Sequence, residues 1–120
     1  MRSRLAVIEK DLSRYAQSRS SFVTEAASHL LEAGGKRFRP LLVLLAAECG
    51  PDADADEVVT AACVIELTHL ASLYHDDVMD EALVRRGAKS ANALYDNNVA
   101  ILTGDFLFAR SSELTSQLGP

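Results

Sequence analysis

Apolar residues recur at three- and four-residue intervals along almost the whole 120-residue chain, and this spacing constrains the fold more than any other feature. Positions three or four residues apart share one face of an α-helix, whereas alternation with period two would indicate a β-strand. No period-two segment occurs, and the helical pattern is interrupted at Gly34–Gly35 and at Gly50–Pro51. The sequence therefore predicts an all-α fold, a helical bundle formed by one domain of residues 1–120.

The third helix is expected to lie at the centre of the bundle, and the fourth is expected to be the longest. Pro40 suits the first turn of a helix, and the segment from Pro40 to about Cys49 is apolar on nearly all sides. Asp54 and Glu57 are typical of a capping pair that opens the longest helix. Ser20 or Ser21 is expected to cap the second helix, and Ser90 or Asn92 to start a short one after a polar loop at 81–89. Residues expected to face the core in the second, fourth and last helices are Phe22, Ala26, His29, Leu30, Ala33, Val58, Ala62, Ile65, Leu70, Leu73, Ile101, Leu102, Phe106 and Ala109.

Composition argues against two classes of function. The net charge of −5 is unlike the basic surface of a general nucleic-acid binder. The longest apolar run, from Leu41 to Ala47, is much shorter than the ~20 residues that cross a bilayer, and residues 1–10 lack the apolar centre of a signal peptide. Cys49 and Cys63 lie among alanines without metal-ligand spacing, so we expect buried free thiols in a reducing compartment. These features predict a cytoplasmic protein with no nucleic-acid partner and no transmembrane segment.

Three carboxylates lie within one helical turn, at Asp76, Asp77 and Asp80. Asp76 and Asp80 are four residues apart and share a helix face, with Asp77 beside them. The negative end of a helix is an unfavourable place for such charge, which favours a bound cation over a solvated acidic end. Oxygen ligands without a thiol suit Mg²⁺, which also binds water and phosphate oxygens.

Two basic segments accompany this acidic cluster. Lys36, Arg37 and Arg39 lie just before a helix N-terminus, where free N–H groups favour an anion, and Arg85 and Arg86 follow the aspartates. Arginine binds phosphate oxygens through two N–H groups, and lysine adds a point charge. Each segment alone also fits an ordinary solvated turn. Together with the carboxylates, they favour a cavity for two diphosphate-bearing substrates.

These segments resemble the trans-isoprenyl diphosphate synthases, the polyprenyl synthetase family. The resemblance is carried by GGKRFRP at 34–40, ELTHLASLYHDDVMD at 66–80, RRG at 85–87 and LTGDFL at 102–107. DDVMD at 76–80 matches the first aspartate-rich motif of that family. Family members are more than twice as long and have a second such motif, so we expect an N-terminal portion of an isoprenoid-synthase-type fold.

The resemblance implies a Mg²⁺-dependent prenyltransferase that joins an allylic diphosphate to isopentenyl diphosphate and gives a longer polyprenyl diphosphate. It makes Asp76, Asp77 and Asp80 the catalytic carboxylates, of which Asp76 and Asp80 bind the metal. It places Arg85 on the allylic diphosphate. The residues that it assigns to isopentenyl diphosphate are Lys36, Arg39, His69 and Arg86, with Arg37 as a helper.

The resemblance also bears on product length and on assembly. Ala71 and Ser72 occupy positions that close the product tunnel in the family, and their small size implies a product longer than fifteen carbons. Family members are usually dimers, so a homodimer or a heteromer is expected. A non-catalytic partner subunit of a heteromeric prenyl synthase, or a helical module that binds diphosphate and Mg²⁺ without chemistry, are the alternatives. Activity of these 120 residues alone stays open.

The remaining polar residues of interest are expected to have structural roles. His29 is expected to be a core or interface histidine, and His75 to support the aspartates rather than bind metal. Asn98 and Asp105 are expected to lie at a helix start.

Overall fold

In residues 2–119, the part of the chain that the computed structural model describes, six α-helices and one short β-hairpin form. The helices are α1 (Arg2–Tyr15), α2 (Ser21–Glu32), α3 (Phe38–Ala47), α4 (Asp56–Met79), α5 (Ala91–Leu94) and α6 (Asn97–Gln117). The hairpin pairs β1 (Val84–Arg85) with β2 (Ala88–Lys89) in antiparallel register. The all-α prediction is confirmed, and the hairpin occupies the segment that was expected to be a polar loop.

Helix α4 is the central element, because α1, α3, α5 and α6 all pack against it. Its buried residues are Ala62, Cys63, Glu66, Leu67, Leu70, Ala71, Leu73, Tyr74 and Asp77. By length and mean hydropathy alone, α4 is apolar enough to cross a membrane. Because α4 lies inside the helical packing, its apolar composition is that of a core helix.

Helix α6 packs along α4, and several of the residues that it buries differ from those predicted. The residues that α6 buries are Ala100, Thr103, Gly104, Leu107, Ser111 and Leu114. The prediction that Ile101, Leu102 and Ala109 face the core is wrong, since all three are exposed, and Leu102 is 67% exposed. Helix α6 buries Leu107 and Leu114 together with its small residues, whereas Ile101, Leu102 and Ala109 lie on its outer side.

Helix α3 is peripheral, contrary to the prediction that it is central. Only Pro40 and Leu44 are buried in it, and Leu42 is 47% exposed. Phe22 and Ile65, expected in the core, are also exposed. Sequence periodicity identifies an apolar face but does not show whether another element covers it.

Helix starts follow the predicted caps in two of three cases. The Ser20 hydroxyl accepts a hydrogen bond from the N–H of Val23, and the Ser90 hydroxyl accepts one from the N–H of Ala93. The Asp54–Glu57 capping pair is wrong: Ala55 is the N-cap of α4 and makes no side-chain cap, although Glu57 lies in the first turn, where negative charge is favourable.

The two cysteines differ in burial. Cys63 is buried, as expected, and burial raises the pKa of its thiol to about 12. Cys49 is exposed, so the expectation of a buried thiol is wrong there. Cys49 follows the end of the peripheral helix α3, where no described element covers it.

The remaining polar predictions have mixed outcomes. His29 is half-buried, and its Nε2 is 2.6 Å from the carbonyl oxygen of Lys89 on the hairpin. Asn98 is in the first turn of α6, which Asp96 caps. Asp105 lies in the interior of α6, so its predicted place at a helix start is wrong. Its carboxylate oxygen is instead 3.3 Å from Nε2 of His75.

Gly104 marks the point where α4 and α6 come closest. An added Cβ at Gly104 would lie 2.4 Å from Nε2 of His75 and 3.1 Å from the carbonyl oxygen of Ala71. His75 cannot move away freely, because its Nε2 also donates to the carbonyl oxygen of Ile101 at 3.0 Å. The glycine is therefore required by close packing, and not by an unusual backbone angle.

We expect Gly104→Ala to lower the free energy of unfolding by about 1–3 kcal/mol, because the methyl group overpacks the contact between α4 and α6. The measurement is urea unfolding followed by circular dichroism. Gly50→Ala is the matched control, because its Cβ would meet only the carbonyl oxygen of Ala47 at an ordinary 3.6 Å. Equal stability of the Gly104 and Gly50 variants would contradict the prediction.

Candidate functional site

A basic cavity of about 180 Å³ lies between the segment before α3, the middle of α4 and the hairpin. The four residues assigned to isopentenyl diphosphate from sequence all line it, although they come from three separate parts of the chain. The lining residues are Lys36, Arg37, Phe38, Arg39, Glu66, His69 and Arg86. We call this cavity the basic pocket.

The path of the chain from α2 into α3 depends on Gly34 and Gly35. Gly34 has a φ of 92°, which glycine adopts without strain. An added Cβ on Gly35 would lie 2.9 Å from Nη1 of Arg37 and 3.0 Å from Cζ of Arg86. Both guanidinium groups therefore pack against the space that the missing side chain of Gly35 leaves.

Arg86 is held at the edge of the basic pocket by backbone carbonyl groups. Its Nη1 donates to the carbonyl oxygen of Leu30 at 3.2 Å and to that of Gly34 at 2.5 Å. Arg86 and Gly87 both have positive φ, at 55° and 78°, as a two-residue hairpin turn requires. Burial, followed by the charge of Arg37, lowers the pKa of Arg86.

Two titratable groups of α4 face these cations. Burial lowers the pKa of His69, and the charges of Arg39 and Arg86 lower it further, which favours the neutral imidazole. Glu66 is buried, which raises the pKa of its carboxyl against the opposing effect of Arg37. Sequence reasoning missed Glu66, although its position three residues before His69 on one helix was a usable signal.

At the other end of α4 the three aspartates do not act as one cluster. Asp77 is 1% exposed, and its Oδ1 accepts from Nε and Nη2 of Arg85 at 3.0 and 2.6 Å. Within residues 2–119, no three histidine, cysteine or acidic side chains come close enough to hold a metal ion together. Asp76 and Asp80, one turn apart and at least partly exposed, remain the pair that can share a cation.

Arg85 and His75 each form hydrogen bonds with other residues of the chain. The bond to Asp77 raises the pKa of Arg85 and ties the hairpin to α4. His75 contacts Ile101 and Asp105 on α6, so its observed partners are not the aspartates that it was expected to support.

A wider groove of about 420 Å³ adjoins the basic pocket and shares Arg39 and His69 with it. Its other lining residues are Ile65, Thr68 and Ser72 on α4 and Phe108 on α6. Of the two residues expected to close a product tunnel, Ser72 lines this groove, whereas Ala71 is fully buried against α6. Phe108 was not singled out from the sequence, because nothing in its local pattern indicates which groove it borders.

The polyprenyl synthetase family model matches residues 20–120. The nonaprenyl diphosphate synthase of Mycobacterium tuberculosis is 52% identical over 120 residues, which are 100% of this chain and 36% of the relative. A protein of Geobacillus stearothermophilus named heptaprenyl diphosphate synthase component 2 is 50% identical over 115 residues, which are 96% of this chain and 36% of the relative. The chain thus spans about a third of the length of these curated relatives.

A solved structure of a related protein has the same fold over the part that it shares with this chain. The polyprenyl synthase of Caulobacter crescentus, complexed with calcium and isoprenyl diphosphate, superposes with a TM-score of 0.90 at 37% identity. The match covers 97% of this chain and 35% of that one. The sequence match, the fold and the charged residues around α4 agree, and the chain belongs to the polyprenyl synthetase family.

Proposed function

We propose that this chain supplies the diphosphate-binding face of a trans-prenyltransferase, which condenses an allylic diphosphate with isopentenyl diphosphate. The observation that carries the proposal is the order of charges along α4. His69 faces the basic pocket, and Asp76 and Asp80 follow it by seven and eleven residues, which keeps all three near one helix face. The rise from His69 to Asp76 is about 10 Å, which is room for two diphosphate groups side by side.

The donor set at the acidic end fits Mg²⁺. Asp76 and Asp80 would hold it with two carboxylates, and the remaining positions suit water and phosphate oxygens. The relative solved with calcium and isoprenyl diphosphate supports the use of a divalent cation in the family. When bound, the metal neutralises the charge that develops on the departing diphosphate.

The residues of this chain act on the substrates by binding and orienting them. Lys36, Arg39 and Arg86 neutralise the diphosphate of isopentenyl diphosphate, and the imidazole of His69 donates a hydrogen bond to it. The allylic C–O bond breaks, and its electron pair leaves with the diphosphate. The double bond of isopentenyl diphosphate then attacks the allylic cation, and loss of a proton completes a chain one isoprene unit longer.

We expect Asp76→Asn to weaken Mg²⁺-dependent binding of a non-ionisable allylic diphosphate analogue by more than about tenfold, because one charged metal ligand is lost. The measurement is calorimetric titration with and without Mg²⁺. Asp56→Asn is the matched control, with the same charge change on the same helix about 30 Å away. Wild-type affinity in the presence of Mg²⁺ in the Asp76 variant would contradict the metal assignment.

We further propose that the groove beside Ser72 receives the allylic hydrocarbon tail and that the product is longer than fifteen carbons. Ser72 lies one helical turn below Asp76, and Thr68 and Ile65 follow along the same side of α4. The side chain of Ser72 is small, and its hydroxyl bonds back to the carbonyl oxygen of His69, so it leaves the groove open. The nonaprenyl and heptaprenyl names of the relatives support a long product.

Ser72→Phe is expected to fill the groove without disturbing the charged residues. It should weaken binding of a twenty-carbon allylic diphosphate analogue by about tenfold or more relative to a five-carbon one, because the bulky ring takes the place of the tail. Competition calorimetry of the two analogues measures this ratio. Ser13→Phe on the exposed side of α1 is the control, and an unchanged ratio in the Ser72 variant would remove the groove assignment.

We also propose that the chain assembles with a second chain, either a copy of itself or a different subunit. An apolar groove of about 240 Å³ lies between α2 and α6, bordered by Phe22, Leu102 and Phe106, of which the first two are well exposed. The component 2 name of one relative supports assembly with another subunit.

The exposed thiol of Cys49 and the absence of a disulfide among the described residues support a reducing compartment, and we propose the cytoplasm.

Leu102→Glu tests the assembly surface. The charged side chain should shift the sedimentation equilibrium toward the monomer by about tenfold or more in dissociation constant, because an apolar contact is replaced by a desolvated carboxylate. Leu83→Glu is the control, as Leu83 is equally exposed but lies away from this groove. Identical sedimentation of the wild type and the Leu102 variant would contradict assembly through this surface.

A further inference from the structure

Arg37 lies between two ligand candidates of the basic pocket, but its side chain turns back into the protein. Lys36 and Arg39 are exposed, whereas the side chain of Arg37 is 7% exposed. Its Nε forms an ion pair with Glu9 of α1, and its Nη2 donates to the carbonyl oxygen of Leu31 at 3.0 Å. One guanidinium group thus ties the segment before α3 to two other helices.

A third contact connects Arg37 to the floor of the pocket. Its Nη1 is 3.5 Å from Oε2 of the buried Glu66 and has no hydrogen-bond partner among the described residues. The backbone of Arg37 has a φ of 52°, in the left-handed region that a residue with a side chain adopts only when its surroundings hold it there. The contacts to Glu9, Leu31 and Glu66 supply that restraint.

We propose that Glu9 and Arg37 are positioning residues of the basic pocket, in which the carboxylate of Glu9 fixes the guanidinium of Arg37 and thereby the placement of Lys36 and Arg39. The inference rests on the proposed diphosphate binding and adds α1 to the site. Glu9 precedes the residues that the family model matches, and it is separated from Arg37 by 28 positions, so no local motif indicates the pair.

Two simpler roles make different predictions. If Arg37 acted through its charge alone, Arg37→Lys would retain the attraction for an anion. If Glu9 acted through its charge alone, removing this negative group near a basic pocket would strengthen anion binding. Positioning predicts the opposite sign for Glu9, because the gain in net positive charge is outweighed by the loss of an ordered binding segment.

The test is calorimetric titration of inorganic pyrophosphate into the wild type and the variants Glu9→Gln and Arg37→Lys. Each variant should bind about three- to tenfold more weakly, and the double variant should be no weaker than Arg37→Lys alone. Asp11→Asn is the matched control, because it removes the same charge from the same helix, and among residues 2–119 its carboxylate pairs with Arg14. It should bind pyrophosphate as the wild type does, or slightly more tightly.

Thermal unfolding of each variant separates positioning from stability. Binding is measured far below each midpoint, so a variant that unfolds earlier but binds pyrophosphate normally would overturn the proposal. Wild-type affinity in Glu9→Gln or in Arg37→Lys would also overturn it, while the proposed function stands. If the wild type itself does not bind pyrophosphate, the proposed function fails, and the positioning role fails with it.

Discussion

The close contact between α4 and α6 at Gly104 is the constraint on which the rest of the structure depends. Small residues on α6 let it cover one side of α4, while α1 and α3 pack against other parts of the same helix. The side of α4 that carries His69, Ser72 and Asp76 is left partly open. A single rigid helix thus fixes the distance between a cationic pocket and an anionic end, and loops would not hold that spacing so accurately.

The charged groups near this helix divide into those that are available and those that are engaged. Arg85 is paired with Asp77, and Arg37 with Glu9, so neither pair offers its full charge to a ligand. Lys36 and Arg39 are exposed beside them, and Asp76 and Asp80 have at least partial access to solvent. The motif residues in these pairs therefore stabilise the fold, and their sequence neighbours remain accessible for the substrate contacts that we propose. Adjacent identical residues in a motif, such as Asp76 and Asp77, differ in burial because a helix turns them to different sides.

Several parts of this arrangement could be predicted from the sequence. The all-α class, the caps at Ser20 and Ser90 and the shared face of Asp76 and Asp80 follow from local spacing. The gathering of Lys36, Arg39, His69 and Arg86 followed from the family resemblance, since nothing local links segments so far apart. Burial on α6 was predicted incorrectly, because the face that α6 buries includes Thr103, Gly104 and Ser111, which apolar periodicity does not identify. The hairpin has strands of two residues, which are too short for an alternating pattern to be recognised.

Two arginines that border the basic pocket, the buried Arg37 and the half-buried Arg86, have a left-handed backbone. At these two positions the residue that the backbone prefers, glycine or asparagine, differs from the residue that the site uses. Replacing either arginine with glycine would therefore have two opposing effects. It would relieve the strain of the main chain, and it would remove a guanidinium. At each position the guanidinium offsets the strain of the main chain through its contacts. Arg37 bonds to Glu9 and Leu31, and Arg86 bonds to the carbonyl groups of Leu30 and Gly34. At these two positions, one substitution would therefore change backbone strain and side-chain contacts together.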